Sequence, residues 1–308
     1  MAIVNTTVPI TSESCDRMIR QIVKTYPFCR SEQLTATAFQ RPIRTLVIGN
    51  GGRKVIFGAA FHANEWITSL VLLKFAEDLA SAIESGGNVF GVPARLIRDN
   101  ATIYMIPMVD PDGVDLVVGA IQPGNLQYEL AFGFARNYPG IPFPEGWKAN
   151  LLGVDLNLQY PAGWLQAREI KFSQGFTQPG PRDYVGRAPL NQLESRAVAG
   201  YTEDIDPALV LAYHSQGKEI YWQFKDIEVP GAEALGREFA RISGYTLAET
   251  PYASSFAGYK DWFIQNFRRP GYTVEVGSGE NPLPLSQFDD IYRDNLGILV
   301  TAALGLPE

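Results

Sequence analysis

The stretch VIFGAAFHANEW, residues 55–66, combines the pattern of a buried strand with two side chains that can bind a metal. Residues 55–61 are apolar or small, which is typical of a strand in the interior of a sheet. His62 follows this strand directly, and Glu65 comes three positions later. Since the chain of 308 residues contains only two histidines, we take this stretch as the starting point for both the fold and the site.

Five further runs rich in β-branched and aromatic residues predict strands, at 44–48, 102–108, 209–213, 219–224 and 272–276. Helical periodicity predicts six helices, at roughly 13–25, 67–85, 193–203, 231–243, 259–267 and 285–303. Strands that alternate with helices predict an α/β fold, here a three-layer α/β/α sandwich around a mixed, twisted sheet. No repeat or long linker divides the chain, so residues 1–308 are predicted to form a single domain.

Two long segments, 117–150 and 159–190, are rich in Gly, Pro and aromatic residues and show little periodicity. Loops of this length in a compact domain are usually functional or disordered. Their aromatic content predicts ordered walls around a site, formed by Tyr128, Phe132, Tyr138, Trp147, Trp164, Phe172, Phe176 and Tyr184.

The composition describes a soluble globular protein with an acidic balance of charge. Hydrophobic residues make up 46% of the chain and charged residues 19%, which is enough apolar sequence to bury a sizeable core. The net charge of −7 and the lack of a Lys/Arg run argue against nucleic acid as a partner. No apolar run approaches the roughly 18–20 residues that span a bilayer, so we expect no membrane partner. The number of subunits is not indicated.

The N-terminal residues 1–20 lack the basic and apolar regions of a secretory signal. Cys15 and Cys29 are too few for a disulfide framework, and neither belongs to a Cys-x-x-Cys metal motif. We therefore expect both cysteines to be reduced thiols and the protein to be cytoplasmic.

The second histidine stands in a setting similar to the first. His214 follows the predicted strand 209–213 in LAYHSQG, and Glu275 lies near the end of another predicted strand, in YTVEVGSG. In open α/β sheets, ligands bind outside the carboxyl ends of the strands. The strand ends that carry His62, His214 and Glu275 are therefore expected to converge at one edge of the sheet.

Together with Glu65, these side chains supply two imidazoles and two carboxylates. Catalytic zinc takes three N or O ligands from the protein and leaves a fourth position for water, which a further carboxylate deprotonates. A single His-x-x-Glu pair often arises by chance, and a histidine at a strand end is often a core residue. The placement of both histidines at the same type of position favours a metal site but leaves these alternatives open.

The segments FHANEW, AYHSQG and TVEVG, in this order, resemble the motifs of the zinc carboxypeptidase family: a His-x-x-Glu pair, a distant histidine and a catalytic glutamate. MVDPDGVDL (108–116) is similar to that family's Asn-Pro-Asp-Gly turn, with Asp110 in place of asparagine. GWKANLLGVDLNLQYP (146–161) is similar to its Trp-Arg and Gly-Val-Asp-Asn-Arg segments. The resemblance extends from about residue 13 to 303 and is closest to the branch of γ-D-glutamyl-L-diamino acid endopeptidases.

The resemblance implies a zinc peptidase with one Zn²⁺ per chain. His62, Glu65 and His214 would be the zinc ligands. Glu275 would be the base that deprotonates the attacking water and later passes the proton to the leaving amine. Asp155 matches the carboxylate that holds a ligating histidine, here His62, in the correct tautomer.

The resemblance also implies the residues that bind the substrate. Lys148 stands where the family has an arginine after Trp, so it would stabilise the oxyanion without the planar fork of arginine. Leu158 replaces the arginine that clamps a terminal carboxylate, which argues against a broad digestive carboxypeptidase, while Asn157 keeps a polar contact. Tyr252 fits the family's substrate-binding tyrosine if one residue is inserted. Lys260 falls at the specificity-pocket position, where it would suit the second carboxylate of diaminopimelate; both lysines also fit ordinary surface residues.

We therefore expect hydrolysis of the amide between γ-D-glutamate and a diamino acid, either meso-diaminopimelate or lysine, in peptides derived from peptidoglycan. Three alternatives remain: a zinc carboxypeptidase of other specificity, a deacylase of small N-acyl amino acids on the same fold, and a non-catalytic module that binds peptidoglycan peptides. The retained Glu275 weighs against the last of these. The long aromatic segments favour a peptide-sized substrate over a small acid.

Overall fold

The computed structural model describes residues 2–306. Its β-strands are β1 Gln33–Ala36, β2 Pro42–Arg44, β3 Leu46–Gly49, β4 Arg53–Gly58, β5 Asn88–Val89, β6 Val92–Pro93, β7 Ala101–Ile106, β8 Leu209–Ser215, β9 Glu219–Tyr221, β10 Thr246–Ala248 and β11 Gly271–Val276. Its α-helices are α1 Ser12–Thr25, α2 Ile67–Ser85, α3 Ala94–Asn100, α4 Pro111–Val117, α5 Leu126–Ala135, α6 Trp164–Ser173, α7 Leu193–Ile205, α8 Ala232–Ser243, α9 Tyr259–Phe267 and α10 Phe288–Leu304. Short 3-10 helices lie at Ala63–Glu65, Leu156–Leu158, Tyr252–Ser254 and Leu285–Gln287.

Seven strands form the central sheet, in the order β10-β9-β11-β8-β4-β7-β3. The four inner strands β11, β8, β4 and β7 are parallel to one another. Strand β9 is antiparallel to β11, and β3 is antiparallel to β7. The sheet is therefore mixed, as predicted, and its parallel centre brings the carboxyl ends of β4, β8 and β11 to one edge.

Two hydrophobic cores lie on opposite faces of this sheet. Along β8, Leu211 and Tyr213 point into one core, whereas Val210 and Ala212 point into the other. Residues of α1, α2, α3, α8 and α10 pack in the first core, and residues of α6, α7 and α9 pack in the second. This arrangement confirms the predicted three-layer α/β/α sandwich. Because side chains alternate along a strand, His214 falls on the face of the second core.

Most predicted elements are present with shifted ends, whereas helices α2 and α9 have the predicted bounds. The predicted strand 44–48 is divided between β2 and β3. Strand β4 ends at Gly58 rather than at residue 61, because Ala60 adopts a left-handed backbone with φ of 47°, which a strand cannot accommodate. In contrast, β8 extends to Ser215, so His214 lies inside its strand and not beyond it.

The prediction of aromatic walls around the site is wrong. Segments 117–150 and 159–190 contain helices α5 and α6. Within residues 2–306, two cavities are lined in part by Glu275, and none of the eight aromatic residues named above lines either of them. The rings pack on one another and on the core instead. Trp147, for example, is fully buried with its ring edge-on to Phe143. These aromatic residues therefore hold the segments in place and do not form the surface that meets a ligand.

No helix within residues 2–306 combines the length and the apolar character that crossing a membrane requires. Cys15 and Cys29 are both buried and form no disulfide. Burial raises the pKa of each thiol to about 12, so both stay protonated at neutral pH.

Candidate metal centre

A short turn between β4 and α2 presents His62 and Glu65. The left-handed conformation of Ala60 bends the chain out of the sheet, and its N–H donates to Thr68 Oγ1 at 2.9 Å. The hydroxyl of Thr68 in turn donates to the carbonyl of Glu65 at 2.7 Å. The turn is thereby tied to the first turn of α2. Both side chains point into a buried space above the sheet edge, where His62 is 9% and Glu65 is 1% exposed.

His214 and Glu275 come from the two neighbouring parallel strands β8 and β11. The register pairs them directly, so they lie side by side at the end of the sheet. The ring of His214 stacks on Phe61 at a centroid distance of 5.4 Å, which fixes its plane. The predicted convergence of His62, His214 and Glu275 at one edge is therefore present in the structure.

The side chains of His62, Glu65 and His214 bring their possible ligand atoms close together in one cluster. His62 Nδ1 lies 3.0 Å from Glu65 Oε1. His214 Nδ1 lies 2.9 Å from Glu65 Oε2 and 3.2 Å from His62 Nδ1. One ligand atom from each of His62, Glu65 and His214 forms a set whose members all lie within 4.8 Å of one another.

Asp155 determines which nitrogen of His62 faces this cluster. Its Oδ1 lies 3.0 Å from His62 Nε2, so the carboxylate accepts a hydrogen bond from the N–H of that nitrogen and leaves Nδ1 for the cluster. Asp155 is itself held by the backbone N–H groups of Asn157 at 3.1 Å and Asp183 at 3.3 Å. Burial acts against the charge of Asp155, but His62 outweighs burial and lowers the pKa of the carboxyl group far below its ordinary value, so the group stays ionised.

The contact between His62 and Glu65 requires a positive charge between the two side chains. Burial lowers the pKa of His62, but the carboxylates of Glu65 and Asp155 outweigh burial and raise it to about 9. Burial prevails at His214, whose pKa lies below its ordinary value. The nitrogen lone pair of a neutral His62 would face a carboxylate oxygen, which is repulsive unless a positive charge lies between them. A proton on His62 or a divalent cation meets this requirement.

The donor set fits zinc. Two imidazole nitrogens and one carboxylate are the ligand types that catalytic zinc sites use, and three protein ligands leave a position open for the reaction. Magnesium and calcium prefer oxygen ligands in larger number. His62, Glu65 and His214 could therefore hold a zinc ion, and Asp155 gives His62 the outer partner that ligating histidines usually have.

Lys148 lies beside the cluster and is not an ordinary surface lysine. Its Nζ donates to Glu65 Oε1 at 2.8 Å, and its side chain is 17% exposed. Its backbone is held on both sides, since its N–H donates to Pro181 and its carbonyl accepts from Ala63. Burial lowers the pKa of Lys148, but the charge of Glu65 outweighs burial and raises it, so the ammonium stays charged.

Glu275 has the protonation behaviour of a group that exchanges protons near neutral pH. Burial and the neighbouring carboxylate of Glu65 raise its pKa to about 8, and the positive charges of Lys148 and His62 act in the opposite direction. A carboxyl group that titrates close to neutral pH is suited to take up a proton and return it. A cation bound by the cluster would move this pKa downward, in the direction of the ionised base.

An inner cavity extends from the cluster, and the predicted substrate residues Asn157 and Lys260 line it together with Leu158. Lys260 is only 3% exposed, so it is not the solvated lysine that the sequence left open. Its Nζ donates to the carbonyl of Gln223 at 2.5 Å and pairs with Asp261 Oδ1 at 2.5 Å. An ammonium group has three N–H donors, so one remains for a ligand in the cavity.

Tyr252 does not line this cavity in the conformation described. Its side chain belongs to a short 3-10 helix and is 73% exposed. The ring packs edge-on against Phe256 at 5.4 Å. Thr250 and Ser254, on either side of it, do line the cavity. The role predicted for Tyr252 stays a prediction, and it requires the tyrosine to turn inward.

Arg182 and Lys171 also line the inner cavity, and no motif in the sequence predicts either of them. Both pair with Asp183, at 2.6 Å each. They come from the segment 159–190, where no motif marks them. The sequence separation between Lys171 and Arg182 is not typical of any binding motif. Their place in the inner cavity is therefore visible only in the folded structure.

Comparisons with known proteins agree with this geometry. A family model described as zinc carboxypeptidase (Peptidase_M14) matches residues 15–297. A protein of Lysinibacillus sphaericus named γ-D-glutamyl-L-diamino acid endopeptidase 1 is 43% identical over 284 residues, which cover 92% of this chain and 69% of that protein.

Solved structures of low sequence identity have the same fold. Carboxypeptidase A from Helicoverpa armigera matches with a TM-score of 0.74 at 17% identity, over 99% of this chain and 76% of that chain. The murein-tripeptide amidase MpaA from Escherichia coli O157 matches with a TM-score of 0.57 at 16% identity, over 90% of this chain and 93% of that chain. At these identities the likeness concerns the fold alone.

Proposed function

We propose, from the premise that this chain belongs to the zinc carboxypeptidase family, that it is a zinc peptidase of bacterial cell-wall peptides. The amide that it hydrolyses joins γ-D-glutamate to a diamino acid, either meso-diaminopimelate or lysine. The observation that carries the proposal is the cluster of His62, Glu65 and His214 with Glu275 beside it, in a cavity where Leu158 stands at the position of the usual carboxylate clamp. The 43% identity to a γ-D-glutamyl-L-diamino acid endopeptidase supports this substrate class.

The residues of the site have separate roles in amide hydrolysis. His62, Glu65 and His214 would hold one zinc ion per chain, which when bound polarises the scissile carbonyl and the attacking water. Glu275 takes the proton from the attacking water and delivers it to the leaving nitrogen. Lys148, charged and beside Glu65, stabilises the negative charge that develops on the carbonyl oxygen.

The inner cavity receives the diamino acid that leaves. Lys260 offers its remaining N–H to the distal carboxylate of diaminopimelate, and the carboxylate of Asp261, whose Oδ1 pairs with Lys260, is available to the distal ammonium. This buried pair of opposite charges is complementary to a side chain that ends in an ammonium and a carboxylate. The α-carboxylate of the diamino acid has no arginine at position 158, and Asn157 gives it a neutral contact.

The proposal is tested by mass spectrometry of the products from a panel of peptides. The zinc-loaded protein is incubated with tri- and tetrapeptides of the wall that contain either diaminopimelate or lysine, with ordinary peptides ending in an α-linked dipeptide, and with small N-acyl amino acids. We expect cleavage at the bond after γ-D-glutamate. Efficient release of ordinary C-terminal amino acids would make the protein a carboxypeptidase of other specificity, and cleavage of the N-acyl amino acids alone would make it a deacylase. No turnover at all would leave a binding module.

A further inference from the structure

Arg182 lies where the inner cavity meets a second, outer cavity. Lys148, Tyr221 and Glu275 line both cavities, and so does Arg182. Because Glu275 and Lys148 act on the scissile amide, that amide lies at the junction. The two parts of the substrate then extend into different cavities. With the diamino acid in the inner cavity, the acyl part passes Arg182 toward the outer cavity.

The chain around Arg182 is held firmly against the rest of the site. Its Nε donates to Asp183 Oδ2 at 2.6 Å. The N–H of Asp183 donates to Asp155 at 3.3 Å, and the carbonyl of Pro181 accepts from Lys148 at 2.7 Å. The guanidinium is thus fixed relative to both Asp155 and Lys148. A side chain that recognises a substrate has to be positioned in this way.

The end of the guanidinium is not engaged by the protein. Within residues 2–306, Arg182 donates a hydrogen bond through Nε alone, and its side chain is 41% exposed. The other cations of the inner cavity are lysines, and each of them pairs through its only side-chain nitrogen: Lys148 with Glu65, Lys171 with Asp183, and Lys260 with Asp261. The two free Nη groups form a planar fork that matches a carboxylate with two parallel hydrogen bonds.

We propose that Arg182 binds the free α-carboxylate of the γ-linked D-glutamyl residue, an inference that rests on the proposed function. When glutamate is linked through its side chain, that side chain forms the scissile amide and the α-carboxylate stays free on the acyl side. This carboxylate is four bonds from the scissile carbonyl carbon, about 5 Å in an extended chain. An arginine at the junction of the cavities is placed to reach it. Arg182 thereby recognises an acidic group on the acyl side of the scissile amide, whereas Leu158 has removed the usual arginine on the side of the diamino acid.

A matched pair of substrates isolates this contact. One is L-alanyl-γ-D-glutamyl-meso-diaminopimelate, and the other is the same peptide with the α-carboxylate of glutamate converted to a carboxamide. We expect the wild-type protein to prefer the carboxylate form by about 10- to 100-fold in kcat/KM, the range for a charge-assisted hydrogen bond. For Arg182→Gln, we expect kcat/KM to fall by that factor on the carboxylate form and to change less than about threefold on the amide form. The preference for the carboxylate form is then abolished. Arg182→Lys, which keeps the charge and loses the fork, should fall between them.

Each of the other outcomes contradicts either this inference or the proposed function. Equal losses of Arg182→Gln on both peptides would assign Arg182 to the scissile group or to the framework and overturn the inference. A wild-type protein that cleaves both peptides equally well would overturn it too, while leaving the proposed function intact. Failure to cleave either peptide would contradict the proposed function itself. If Arg182→Gln does not fold, inhibition of the wild-type protein by the product L-alanyl-D-glutamate and by its α-amide decides: we expect the amide to bind at least about tenfold more weakly, and equal inhibition would overturn the inference.

Discussion

His62 and Asp155 are joined by a contact of 3.0 Å between Nε2 and Oδ1, which directs the other ring nitrogen of His62 toward Glu65 and His214. The contact links residues 93 positions apart in the sequence. Asp155 receives two backbone N–H groups in addition, so it cannot turn away from the histidine without losing them. The orientation of the His62 nitrogen that faces Glu65 and His214 is thus built into the fold.

The first prediction concerns metal affinity. Asp155→Asn keeps the size of the side chain but replaces a charged acceptor by a neutral amide, so it holds His62 less firmly in the required tautomer. We expect zinc affinity to fall about 10- to 100-fold, measured by competition with a chromogenic chelator. Asp290→Asn, which alters an exposed ion pair with Arg293 on α10, serves as the control. Equal zinc affinity of Asp155→Asn and the control would contradict the role of Asp155.

The second prediction separates metal binding from proton transfer. Glu275→Gln removes the carboxylate that exchanges protons but leaves His62, Glu65 and His214 unchanged. We expect this variant to retain about one zinc per chain by elemental analysis and to lose about 10²- to 10⁴-fold in kcat. Near-full activity would show that another group acts as the base. Loss of the metal would instead place Glu275 among the groups that hold it.

The third prediction concerns the diamino acid. Lys260→Ala removes the ammonium from the inner cavity, so it should lower kcat/KM for the diaminopimelate peptide by about 5- to 150-fold, equivalent to about 1–3 kcal/mol. The lysine-containing peptide lacks the distal carboxylate and should be affected much less. Because Lys260 is buried against Asp261, the unfolding temperature of the variant is measured alongside. Equal losses on both peptides would assign Lys260 to the framework.

The fourth prediction concerns stability and pH. Glu194, in the first turn of α7, is 3% exposed, and burial raises its pKa from an ordinary value of 4.5 to about 7. The folded state therefore holds this proton more tightly than the unfolded state. Its contribution to stability is fully present below about pH 4.5 and is lost as the pH rises through about 7.

Glu194→Gln cannot ionise, so its advantage over the wild-type protein should grow with pH. Between pH 5 and pH 8 we expect the free energy of unfolding of the variant to gain about 1–3 kcal/mol relative to the wild type, measured by denaturant titration at both pH values. Titration of His62, Glu65 and His214 affects both proteins alike and cancels in the comparison. A constant difference between the two pH values would show that Glu194 stays ionised in the folded protein.

The sequence predicted that His62, Glu65, His214 and Glu275 lie close together, for physical reasons. His62 and Glu65 are separated by one short turn, and His214 and Glu275 belong to strands whose parallel pairing places them side by side. Such local and register-bound positions leave a pattern in the sequence. The fold class followed from the alternation of strands and helices, which hydrophobic periodicity records directly.

The surroundings of the site could not be predicted in the same way. Helix α5 has the sequence LQYELAFGFA, in which apolar residues lie on nearly every side, so it shows no helical stripe and resembles a loop rich in aromatics. Arg182 reaches the site only because Pro181 and Asp183 are hydrogen-bonded to Lys148 and Asp155, contacts between distant segments. The end of β4 was misplaced because a single left-handed residue, Ala60, stops it inside an apolar run.

The most direct test of the account is the identity of the bond that the zinc-loaded protein breaks in L-alanyl-γ-D-glutamyl-meso-diaminopimelate. Products are separated by liquid chromatography and identified by mass spectrometry, with Glu275→Gln as the control for contaminating activity. We expect L-alanyl-D-glutamate and free diaminopimelate from the wild-type protein and neither from the control at comparable rates. An intact tripeptide, under conditions where the same preparation releases C-terminal residues from ordinary peptides, would contradict this expectation.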